Sequence, residues 1–203
     1  MSQSMDTSPG RQPAWTEDDS KNFLDYGRFF VPGREEQIAA ILDVIPDPGD
    51  GLLVDLCCGE GLLSRAMLGR FPRARVLGLD LSPAMLARAG TAAGSGHDRF
   101  TGRPFDLADG AWRRFDEPVR AFVSSLAIHH LDGEGKRTLY RDLAAALAPG
   151  GALVIADLIE PDPVDHPSPL FAQLRWLSEA GLGDVDVYWL QAGHAIFGGI
   201  SPG

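Results

Sequence analysis

The stretch "LLVDLCCGEGLLS", Leu52 to Ser64, is an apolar run that ends in an acid, two cysteines and Gly-Glu-Gly. A strand that breaks into a glycine turn and restarts as a helix is built to hold a ligand against backbone. Two further acids and a histidine pair fall at comparable points downstream. Asp80 closes the apolar run "RVLGLD", 19 residues beyond Gly61, where a carboxylate can accept hydrogen bonds from both hydroxyls of a ribose. Asp106 follows "RFTGRPF", and His129-His130 follow "RAFVSSLA". Imidazoles at the end of a strand are candidate bases.

The elements that would position these residues alternate. Strands are expected at 52–56, 75–80, 99–105, 120–127 and 152–158, and helices over 62–71, 82–89, 134–148 and 170–180. Ser82 is a suitable cap with Pro83 at the first helical position. Two closing strands, 184–190 and 194–200, are separated by three residues and must pair antiparallel. Alternation on this scale implies an α/β fold: a single, Rossmann-like, doubly wound sheet with helices on both faces. Pro104 consigns the third strand to an edge. In such sheets the ligand lies at the carboxyl ends of the strands, which gathers Asp55, Gly59, Gly61, Asp80, Asp106 and the residues after Ser124.

The flanks divide the chain. Residues 1–14 read as a flexible tail and 15–50 as an N-terminal helical cap, with Phe23, Tyr26 and Phe30 at helical spacing; 51–203 form the main domain. The formal net charge is −10, which leaves no basic stripe for phosphates, so nucleic acid is not an expected partner. No run approaches the ~20 apolar residues of a membrane span, and the polar N-terminus lacks a signal core. A cytoplasmic protein acting on a small molecule follows as the default, and a homodimer stays open. Cys57 and Cys58 are the only cysteines, and two alone make no zinc site; the five histidines lack helical i, i+4 spacing, so no metal is expected.

Charge selects among ligands for the glycine turn. Gly59-Glu60-Gly61-Leu62-Leu63-Ser64 falls one glycine short of the dinucleotide pattern, and Asp55 and Glu60 bracket it. At ~5 Å and an effective dielectric of ~20, each like-charge contact to a pyrophosphate would cost roughly 3 kcal/mol. A ligand with an ammonium and a sulfonium would be attracted instead. S-adenosyl-L-methionine has both, and a ribose for Asp80.

From about residue 51 to 200 the chain resembles the class I S-adenosylmethionine-dependent methyltransferases, motif after motif in order. "VDLCCGEG" is similar to the first motif, "GLDLSPAML" to the second, "FDLAD" to the third, "FVSSLAIHHL" to the strand-four segment and "LAPGGALVIAD" to the turn before strand five. The resemblance implies seven strands in the order 3-2-1-4-5-7-6 with strand 7 antiparallel. It implies methyl transfer to a small-molecule acceptor, with S-adenosyl-L-homocysteine as product. The cofactor set it implies is Asp55, Cys57, Gly59, Gly61, Asp80, Leu81, Met85, Asp106, Leu107 and Ser124, with Met85 near adenine, Asp106 on its amino group and Leu107 on its ring. His129, His130 and Tyr26 are the candidate catalytic groups; Tyr26, His129 and His194 are the candidate substrate contacts. Other outcomes are a binding protein without turnover, other chemistry on the same sulfonium and, more remotely, a dinucleotide oxidoreductase. Two departures stand out. Cys57 replaces the usual first glycine, and the segment between Leu158 and Leu170 is short.

Overall fold

The computed structural model describes residues 33–159 and 168–203. The described elements run α1 (Arg34–Val44), β1 (Leu52–Leu56), α2 (Leu62–Arg70), β2 (Arg75–Asp80), α3 (Pro83–Ala92), β3 (Phe100–Pro104), β4 (Val119–Ser125), α4 (Gly133–Ala146), β5 (Leu147–Leu158), α5 (Leu170–Glu179), β6 (Gly183–Gln191) and β7 (His194–Ile200). Short 3-10 turns at Gly94–Arg99 and Ile128–His130 complete the connections.

The seven strands form one sheet in the order β3-β2-β1-β4-β5-β7-β6. The β1, β2, β3, β4 and β5 pairings are parallel, and β7 is antiparallel to both β5 and β6. This is the expected order. Pro104 sits at the end of the edge strand β3, where its missing N–H removes nothing from an outer ladder.

Alternation along each strand builds two cores. Val54, Leu56, Leu79, Phe122, Leu153, Ile155 and Phe197 face Leu139, Tyr140 and Leu143 of α4 and Leu177 of α5. On the opposite face Leu53, Val76, Val123, Val154 and Ile196 meet Ile41 of α1 and Leu63, Met67 and Leu68 of α2. The central strands are apolar on both faces because helices cover both.

Several boundaries differ from the sequence expectation. The helix expected to reach Ala148 ends at Ala146, and β5 begins at Leu147 rather than at 152. Leu147 pairs with Val119 before the register shifts, and the shift passes through Pro149-Gly150-Gly151, where Gly150 adopts φ 72°. Gly150 N–H donates to Ser201 O and Ser201 N–H to Gly151 O, so contacts with the distant C-terminus hold the bulge in place. The fourth strand ends at Ser125, two residues early, because Leu126 turns into the left-handed region with φ 57°.

Candidate functional site

The first crossover is a tight turn braced from three sides. Cys58 N–H donates to Leu79 O on β2, Gly61 N–H donates to Cys58 O, and Arg65 N–H donates to Gly61 O as α2 begins. Alternate residues of the turn are left-handed: Cys57 at φ 56°, Gly59 at 54° and Gly61 at 81°. Cys57 thus takes the conformation for which glycine is the usual residue, at a cost of about 1–2 kcal/mol. Gly61 is required for close approach, since a Cβ there would lie 2.7 Å from Ala89 Cα on α3. A Cβ on Gly59 would meet nothing within 4 Å, so that side of the turn is open.

Asp80 ends β2 at the mouth of this turn. Its Oδ2 accepts the Gly59 N–H at 2.8 Å and its Oδ1 the Ser82 N–H at 2.9 Å. Ser82 Oγ in turn accepts the Met85 N–H, the expected helix cap. The turn and the start of α3 are therefore pinned to one carboxylate. Leu81 beside it is 40% exposed, an apolar surface next to the acid, whereas Met85 is buried beneath. Asp106 is exposed; its Oδ1 accepts the Ala108 N–H, and among the described residues nothing meets Oδ2. Leu107 is half-buried against the α4-side core.

Asp55 lies lower. It is buried, and Ser64 Oγ donates to its Oδ2 at 2.6 Å, tying the end of β1 to the first turn of α2. Burial pushes Asp55 up to about 7; the Ser64 hydrogen bond opposes this and the charge of Asp80 adds to it. Asp55 is thus partly protonated at neutral pH and braces the turn from beneath. The repulsion of a diphosphate expected from Asp55 and Glu60 together falls mainly to Glu60 and Asp80. Arg34, half-buried in the first turn of α1, stands in the field of Glu60 and Asp55, although burial outweighs both and lowers it.

Ser124 is fully buried, and its hydroxyl donates to Leu56 O at 3.2 Å. It bridges β4 to β1 within the sheet. Ser125 and Leu126, half-buried just beyond, carry that strand end to the surface.

The three histidine candidates separate into a pair after β4 and one at the start of β7. His129 is buried in the turn after β4, with its ring 4.2 Å from that of half-buried His130. His129 N–H donates to Asp157 Oδ2 at 2.8 Å, and its Nδ1 meets Asp157 Oδ1 at 2.5 Å. His194, at the start of β7 opposite Leu158, donates through Nδ1 to Ala192 O at 2.8 Å. By strand alternation His194 shares the face of Ile196, the α1–α2 side, while Asp157 shares the face of Leu153 and Ile155, the α4–α5 side. Tyr26 lies outside the described residues.

Asp157 is absent from the expected set, yet it carries the same signal as Asp55 and Asp80, an acid at or next to the end of an apolar parallel strand. Beside it runs a buried polar chain. Tyr140 Oη donates to Gln173 Oε1 at 2.6 Å, Gln173 Nε2 to Ser168 O, and Lys136 Nζ to Ser168 Oγ. Among the described residues no group of three or more His, Cys, Asp or Glu could hold a metal, and no helix is long and apolar enough to cross a membrane.

The open side of Gly59, the exposed apolar Leu81 beside Asp80 and the unmet oxygen of Asp106 suit a ligand with a ribose between an adenine and a cationic tail. Known proteins agree. A family model described as a methyltransferase domain matches residues 53–151. A trans-aconitate 2-methyltransferase from Acidovorax ebreus is 34% identical over 174 residues, covering 79% of this chain and 62% of that protein. A carboxy-S-adenosyl-L-methionine synthase from Chromohalobacter salexigens is 33% identical over 143 residues, covering 68% of this chain and 52% of the other. The chain thus spans about half to three fifths of the length of these curated relatives. An O-methyltransferase family protein from Burkholderia thailandensis superposes with a TM-score of 0.73 at 17% identity, over 92% of this chain and 60% of that one. The strand order, the glycine turn with its β2 acid and these likenesses converge: the chain belongs to the class I S-adenosylmethionine-dependent methyltransferase family.

Proposed function

We propose that this chain transfers a methyl group from S-adenosyl-L-methionine to a small-molecule acceptor at the carboxyl ends of β1, β2, β4 and β5. The observation that carries this reading is Asp80: a buried carboxylate pinned by the Gly59 and Ser82 N–H groups, aimed at the mouth of a turn with an open glycine. The bound cofactor supplies a methyl carbon on a cationic sulfur, already activated for in-line displacement. The protein's task is then to bind, align, exclude water and manage a proton.

In this reading Asp80 accepts both ribose hydroxyls, Leu81 and the helix start at Met85 flank the adenine, and Asp106 and Leu107 take its amino group and ring. Cys57, Gly59 and Gly61 present backbone to the amino-acid end, with Asp55 holding the turn in shape. His129 and His130 border the acceptor, with Tyr26 and His194 as further contacts. Residues 15–50 form the cap over the acceptor and 1–14 a tail. The protein works in the cytoplasm, and a homodimer is compatible with this arrangement.

The test is to titrate S-adenosyl-L-homocysteine, NAD and FAD by calorimetry and then to follow S-adenosyl-L-homocysteine release with a panel of small acceptors. The expected product gains about 14 Da, one methylene. Preferential binding of NAD or FAD would sink the reading. A second reading, different chemistry on the same sulfonium, draws support from the likeness to the carboxy-S-adenosyl-L-methionine synthase. An adduct of another mass would favour it.

A further inference from the structure

The connection from β3 to β4 carries Asp106 and Leu107, and it is held at both ends. At its start Phe105 N–H donates to Asp80 O at 3.1 Å, which ties it to the backbone of the acid at the cofactor turn. It then folds through two short turns. Asp106 Oδ1 accepts the Ala108 N–H, Asp109 N–H donates to Asp106 O, and Asp109 Oδ1 accepts the Ala111 N–H. At its end Arg113 Nη1 donates to Asp142 Oδ2 on α4 at 2.8 Å, while Nη2 reaches back to Leu107 O at 3.4 Å. One guanidinium thus joins α4 to the backbone next to Asp106.

Arginine side chains are rarely buried. That of Arg113 is only 8% exposed, against 34% for Asp142. Its guanidinium lies 5.5 Å from the Trp112 ring centroid, and Trp112 meets Phe105 edge-on at 4.8 Å within the α4-side core. Yet among the described residues Arg113 Nε and Trp112 Nε1 are buried without an acceptor. A buried donor left unmet costs free energy, and a buried charge pair often stabilises no more than apolar groups of the same size. An arginine in such a place fixes an orientation more than it adds stability.

We propose that Arg113 is a positioning residue: clamped to Asp142, it holds the connection in the shape that lets Asp106 read the base of the bound nucleoside, and so makes the chain selective for a 6-amino purine over its 6-oxo counterpart. The proposal rests on the cofactor reading above. A carboxylate only accepts, so it takes an amino N–H and has no proton to offer an oxo group. Asp106 is exposed, and solvent competes for it unless the backbone beneath is fixed. Arg113 supplies that hold from the buried side. A site that accepts a particular N–H rejects an analogue lacking it, provided that its own groups stay in place.

The experiment compares two ligands. Calorimetric titration of the full chain with S-adenosyl-L-homocysteine and with S-inosyl-L-homocysteine, its 6-oxo analogue, gives a selectivity ratio. The wild type is expected to prefer the amino compound at least ~tenfold, since a hydrogen bond to a charged group is at stake. In R113M and in D142A the ratio should fall below ~threefold, through weaker binding of the amino compound. R113K, whose ammonium still meets Asp142, should keep part of the preference. A second readout needs no ligand. Nitrogen-15 relaxation of the cofactor-free protein should show the Ala108 and Ala111 amides falling from order parameters near ~0.85 towards ~0.6 in R113M, with Val54 and Phe122 in the sheet unchanged.

A ratio in R113M within about twofold of the wild-type value overturns the proposal, as does unchanged order at Ala108 and Ala111. So does a wild type that binds both compounds equally, or a loss of order that extends through the sheet. If R113M does not fold, R113K and D142A decide by the same two readouts. A wild type that binds neither compound counts against the cofactor reading itself, and the order parameters still judge the hold of Arg113 on the connection.

Discussion

Asp80 and Asp157 occupy matching places on opposite sides of β1 and β4. Each sits at or next to the carboxyl end of a parallel strand, is buried, and accepts a backbone N–H at 2.8 Å from a turn that follows a neighbouring strand. Each also accepts an N–H at 2.9 Å from a residue just after itself. The difference is what else the carboxylate meets. Asp80 opens on a glycine turn with an exposed leucine at its side, and Asp157 closes on an imidazole. One brace, used twice, leaves one acid open on a glycine turn and the other closed on an imidazole. Changes around Asp80 should therefore act on cofactor affinity and leave the His129 ring in place, while changes at Asp157 should do the reverse.

The sharpest way to break this division is Gly61→Val. The new Cβ would press on Ala89 Cα at 2.7 Å and strain a φ of 81°, so a loss of roughly 3 kcal/mol or more is expected in urea unfolding, with cofactor affinity abolished. Next comes pH. The folded chain holds the Asp55 proton more tightly than the unfolded chain does, since burial raises the group to about 7. The stabilisation is therefore fully present below the ordinary carboxylate range and is lost as pH rises toward 7. Thermal unfolding of the cofactor-free protein should show about 2–3 kcal/mol less stability from this group at pH 8 than at pH 5, and Asp55→Asn should flatten that slope. A flat wild-type profile would remove the assignment.

Asp80→Ala should weaken cofactor binding at least ~tenfold by calorimetry, because hydrogen bonds to a charged group contribute about 1.5–3 kcal/mol. Unchanged affinity in a folded variant would erase the contrast between the two acids. The smallest effect is expected at Cys57→Gly. Releasing the left-handed strain should raise stability by ~0.5 kcal/mol, since glycine's greater unfolded-state freedom offsets part of the gain. A loss of stability there would mean that the thiol's packing outweighs its backbone conformation.

Much of this was legible beforehand, for identifiable reasons. Strands β1, β2 and β7 match the expected bounds because their apolar runs are closed by turn residues close at hand in sequence. The turn at Gly59 and Gly61 was legible because a turn is a local structure. The ends of β4 and the start of β5 were not, since Leu126 and the bulge at Pro149–Gly151 depend on partners far along the chain. Ser124 was assigned by its place at a strand end, and its direction into the sheet was invisible until β1 lay beside it. Asp55 was read by its charge, which burial then reduced.

By itself the sequence determined the alternation of strands and helices, the edge position of β3, the closing hairpin and the acid-ended strands around a glycine turn, because each follows from periodicity, a proline or a short spacing; the strand order was implied by the resemblance to a known family. Only the tertiary structure decided which acid would hold which group. Asp55 took Ser64, nine residues away, Asp80 took Gly59 across 21 residues, and Asp157 took His129 across 28. A carboxylate's role is set by the donors that folding brings within 3 Å, and that proximity depends on the order of strands in space rather than along the chain.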